Sequence, residues 1–95
     1  MSEPICAVLV LCSAPDKSVA RLLSQHLLDA RIAACISVIP GMHSMYHWNG
    51  QIEASDEVLL LIKSSADQVD AIKAMVKQQH PYDIPELLVL GISDA

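Results

Sequence analysis

Cys12, His80 and Glu86 are the side chains of this 95-residue chain best suited by type to hold a metal ion. A thiolate and an imidazole together favour copper or zinc, and a glutamate can supply an oxygen ligand beside them. His80 opens the stretch "HPYDIPELLVL", residues 80 to 90, in which two prolines, a tyrosine, an aspartate and a glutamate crowd directly before an apolar run. Each proline fixes its own φ and pushes the residue before it toward extended geometry, so His80 and Ile84 are held out of the helical region. The segment reads as a stiff loop feeding a buried strand, a place where a site can be built. A strand start in need of polar caps has the same composition. The plainer reading of the pair is that Cys12 is a small buried hydrophobe at a strand end and His80 caps a helix C-terminus.

Other side chains carry weaker signals. Tyr46 and Trp48 are two of only three aromatic residues, and Tyr82 is the third. Tyr46 and Trp48 are expected on one face of a strand, packing against a neighbouring subunit in preference to stacking on a small ligand. His43 and His47 have H-x-x-x-H spacing, which brings two rings together only on a helix; along a strand they stand about 13 Å apart and read as surface residues. His26 has no ligand-spaced neighbour. Glu53 and Glu57 read as a solvated strand face, and Asp83 as a cap for exposed backbone donors.

The elements that must position these residues follow from pattern. "ICAVLVLC", residues 5 to 12, is apolar at nearly every position and suits a central strand. "SAPD" offers Ser13 as N-cap with Asp16 three residues on, before an amphipathic helix carrying Val19, Ala20, Leu23, Leu27 and Ala30, with Ile32 just beyond. "ACISVIPGMHSMYHW" and "QIEASDEVLLLIK" flank Asn49-Gly50, the strongest short signal for a two-residue hairpin turn. That turn sets Trp48 opposite Gln51, Tyr46 opposite Glu53 and His43 opposite Asp56. Pro40-Gly41 marks a bulge or bend where a polar arm leaves the sheet. A second helix opens at Ser64, with Val69, Ile72 and Val76 on one face, and "ELLVLGI" is the last strand.

The order β-α-β-β-α-β fits an α+β, ferredoxin-like antiparallel sheet of strand order 4-1-3-2 with both helices on one face, as a single domain over 1–95. In that topology the end of the first strand, the hairpin arm and the 80–86 loop meet at one rim, gathering Cys12, Asp16, Tyr46, Trp48, His80, Tyr82, Asp83 and Glu86. Both central strands are apolar on both faces while helices cover only one, so the other face calls for further copies of the chain.

Composition narrows the function. At 53% hydrophobic the chain is rich in apolar residues, yet no run is long enough to cross a bilayer. The N-terminal stretch has Glu3 ahead of its apolar run and does not read as a secretory signal. Three cysteines cannot all pair within one chain, and a reducing cytoplasm is the simplest setting. A net charge of −5 with six basic residues argues against nucleic acid and anionic membranes. "CSAPD" has neither glycine nor arginine to cradle a phosphate, no C-x-x-C metallochaperone loop is present, and the central strands lack the aromatics of an RNA-binding sheet.

Three stretches, "VLCSAPD", "ARIAACISVIPGMHSMYHWNGQIE" and "HPYDIPELLVL", together resemble the signatures of the CutA family of divalent-cation tolerance proteins, in the same order and spacing. The resemblance implies a homotrimer similar in architecture to PII signalling proteins. It also implies binding of copper or another divalent metal and a cytoplasmic, non-enzymatic role in metal tolerance. Weak metal binding at the rim of Cys12, His80 and Glu86 is the expectation, with a PII-like trimer that binds a small molecule and no physiological metal as the alternative. Two departures stand out. The family often has two adjacent histidines before Pro-Tyr, where this chain has Gln79-His80, and it usually continues into a short aromatic helix, where this sequence ends at Ala95.

Overall fold

The structure is a computed structural model and describes residues 6–94. Strand β1 (Ala7–Ala14) is followed by helix α1 (Lys17–Asp29), strands β2 (Cys35–Trp48) and β3 (Gln51–Ser65), helix α2 (Val69–Gln79) and strand β4 (Leu87–Gly91). A short 3-10 turn, Ala66–Gln68, joins β3 to α2. The sheet is antiparallel throughout in the order β2-β3-β1-β4, the expected 4-1-3-2 counted from the other edge. Ile5, the first residue of the expected first strand, lies outside the described residues, as does Ala95.

The hairpin register is the one the Asn49-Gly50 turn dictates. Trp48 pairs with Gln51, Tyr46 with Glu53 and His43 with Asp56. Asn49 (φ 51) and Gly50 (φ 75) both take the left-handed backbone of a turn whose twist matches that of the strands. Farther down, Ile39 pairs with Leu59 and Met42 with Glu57, so Pro40 and Gly41 together oppose Val58 alone. This is a bulge, with Gly41 at φ 81 absorbing the extra residue. Beyond it β2 and β3 run on as a two-stranded arm, and the molecule measures 54 × 26 × 22 Å.

Both helix starts differ from expectation. Ser13 does not cap α1: it is paired with Leu59 inside β1, and Asp16 is the N-cap, its Oδ1 accepting from the Val19 N–H at 2.9 Å. Ser64 likewise belongs to β3, opposite Val8, and its hydroxyl donates to the Ile32 carbonyl at 2.6 Å. Ladder pairing between β1 and β3 outweighs one cap, so each strand keeps residues that local pattern assigns to the helix.

Alternation sorts the sheet into two faces. Val8, Val10, Cys12 and Ala14 of β1 and Val58, Leu60 and Ile62 of β3 are buried beneath Ala20, Leu23 and Leu27 of α1 and Ile72 and Val76 of α2. The expected apolar stripe of α1 holds except at Ala30, which is the exposed C-cap. On the opposite face, pairing places Leu9 beside Leu90, Leu11 between Leu61 and Leu88, and Leu59 beside Ile39. Among the described residues no helix covers them, and Ile39, Leu88 and Leu90 are each about half exposed.

Candidate functional site

The 80–86 loop begins where α2 ends. His80 leaves the helix in extended geometry (φ −81, ψ 139), as a residue before proline must, while its N–H still donates to the Val76 carbonyl. Its ring is buried, with 7% exposure. Nε2 lies 2.7 Å from the Ser13 carbonyl oxygen and Nδ1 lies 3.1 Å from the Tyr82 N–H. A carbonyl only accepts and an amide only donates, so Nε2 carries the proton and Nδ1 presents its lone pair. His80 is therefore a neutral imidazole with both nitrogens committed to backbone, clamping the loop to the end of β1. The Tyr82 ring packs on it at a centroid distance of 4.7 Å.

Cys12 faces the core at 1% exposure, its Sγ 3.6 Å from the Ser13 carbonyl. Burial, followed by the carboxylates of Glu86 and Glu57, pushes its thiol from 9.0 up to about 11. It is a protonated packing group at neutral pH. Glu86 alternates with the core-packed Leu87 and lines the helix-free side of the sheet, where a pocket of about 270 Å³ that it shares with Leu11 and Leu88 also reaches Cys12. The rim expected from the sequence exists, but it does not bring Cys12, His80 and Glu86 together as ligands. Among the described residues no three His, Cys, Asp or Glu side chains are placed to hold a metal ion. Cys12 is a buried residue of β1, and His80 is the C-cap of α2 through its backbone N–H alone, its ring turned to the end of β1.

What the rim does form is a cleft between the arm and the loop. Its inner lobe, about 220 Å³, is lined by Ser13, Tyr46, Ser55, Glu57, Tyr82, Ile84 and Glu86. The outer lobe, about 730 Å³, is lined by Tyr46, Trp48, Glu53, Tyr82, Asp83 and Ile84. The Tyr82 hydroxyl donates to Glu57 Oε2 at 3.3 Å, closing a link between loop and arm. Burial, and then the Glu57 carboxylate, raise the phenol's pKa above its ordinary value. Tyr46, Trp48 and Tyr82 thus meet at one cleft, as expected for residues of the rim. Glu57, read from the sequence as solvated, is half-buried within it. The signal was present: strand alternation from the Asn49-Gly50 turn places Glu57 on the face that carries Tyr46 and Glu53.

The histidines of the arm lie elsewhere. His43 Nδ1 makes an exposed contact of 2.8 Å with Asp56 Oδ1, its cross-strand partner, and His47 stands exposed opposite Ile52. Neither lines the cleft.

A four-stranded antiparallel sheet with both helices on one face and a long projecting hairpin defines a ferredoxin-like α+β domain of the kind found in solved CutA1 proteins. The family model of the CutA1 divalent ion tolerance protein matches residues 8–95, and the chain belongs to that family. It is 50% identical over 92 residues to the divalent-cation tolerance protein CutA of Pectobacterium atrosepticum, covering 96% of this chain and 84% of that one. The crystal structure of CutA1 from Oryza sativa superposes with a TM-score of 0.95 at 32% identity, over 99% of this chain and 86% of that chain. The corresponding values for the Cut A1 protein of Thermus thermophilus are 0.91 and 36%, over 94% and 86%.

Proposed function

We propose that the chain works in divalent-cation tolerance as a non-catalytic homotrimer of the cytoplasm, meeting copper or another divalent cation weakly at the rim. Family membership supports the tolerance role. The uncovered apolar face of β1, β3 and β4 supports assembly, and three free thiols at Cys6, Cys12 and Cys35 suit a reducing compartment. The observation that carries the non-catalytic reading is the double commitment of His80. A histidine with both nitrogens held by backbone has no lone pair to offer as a general base, and the nearby Ser13 and Cys12 are buried and unactivated.

The donors that remain open to an ion at the rim are the carboxylates of Glu57 and Glu86, with the hydroxyls of Ser55 and, at the buried floor of the lobe, Ser13 beside them. Two carboxylates with neutral oxygens make a weak, hard-donor contact. Native mass spectrometry of metal-free protein titrated with Cu(I), Cu(II) and Zn(II) tests both claims. The expected result is a trimer with weak ion uptake that Glu57→Gln and Glu86→Gln reduce and Cys12→Ser leaves unchanged. Uptake lost in Cys12→Ser and His80→Ala but kept in the glutamate variants would return the site to the thiol and imidazole.

The second reading, a PII-like trimer that binds a small molecule, is favoured by one observation: the outer lobe is more than three times the volume of the inner one and is walled by all three tyrosine and tryptophan side chains.

A further inference from the structure

We draw no further inference here: the strongest candidate, the cluster of Cys35, Ser37 and Lys63 at the β2 margin of the helix-free sheet face, where Lys63 Nζ lies 2.7 Å from Ser37 Oγ and 3.7 Å from Cys35 Sγ, rests on a lone cysteine and lies on the face that the proposed trimer would close, with nothing in the structure pointing to a ligand there.

Discussion

His80 shows how one side chain joins distant parts of the chain, since the carbonyl that its ring meets lies 67 positions earlier. Replacing it with alanine leaves the Tyr82 N–H and the Ser13 carbonyl without their partner, and a loss of about 1–3 kcal/mol is expected in denaturant unfolding. Faster hydrogen exchange at Tyr82 should accompany it, because the clamp on the loop is gone; a protected Tyr82 amide in the alanine variant would show that the prolines alone fix the loop. Cys12 gives a prediction in pH. Its thiol titrates near 9.0 when unfolded and about 11 when buried, so between those values the unfolded chain sheds a proton that the native protein retains. Stability is full below pH 9 and falls as pH rises through 11, by roughly 2–3 kcal/mol at about 1.4 kcal/mol per unit. The raised Tyr82 phenol acts in the same direction, so the comparison to make is parent against Cys12→Ala, in which the cysteine share of the slope should vanish. The sequence showed that Cys12 and His80 meet at one rim. It did not show that backbone groups consume both imidazole nitrogens, because neither hydrogen bond belongs to any motif.

At the scale of elements, legibility followed how local the deciding interaction is. The arm was readable residue by residue because a two-residue turn with φ positive at both positions admits one register. The helix starts were not, because "SAPD" and "SSAD" satisfy a capping pattern while the choice rests on pairing with strands elsewhere in the chain. The end of α1 holds a feature that pattern alone did not mark. The Arg31 N–H donates to the Leu28 carbonyl at 3.0 Å and the Ile32 N–H to that of Leu27 at 3.2 Å, the two bonds of a Schellman motif. Arg31 sits at its left-handed position (φ 59), where glycine is at ease and a Cβ is strained. Arg31→Gly should therefore stabilise the protein by about 0.5–1 kcal/mol, read as a higher denaturant midpoint with unchanged slope. A lower midpoint would mean that the arginine side chain earns more than its backbone loses.

For the whole molecule, the central question is what covers the open face of the sheet. Leu61 lies at its centre, paired with Leu11 and Ser37, and is only half-buried in the single chain. Leu61→Glu would set a carboxylate in the middle of any contact made there, and the expected outcome is dispersal to monomers by light scattering, since a buried unpaired charge is costly. A parent protein that is already monomeric at micromolar concentration would refute the assembly outright. The projecting arm has a practical bearing on such measurements. The radius of gyration is 14.3 Å, against about 12 Å for a compact chain of this length. A 54 Å body carrying a narrow spike drags more water than its mass implies. Column retention will therefore overstate the mass of a lone subunit and mimic association where none exists. Three subunits that fold their arms against one another would shed that excess friction, so sedimentation should report the trimer as the rounder particle and the Leu61→Glu monomer as the more elongated one.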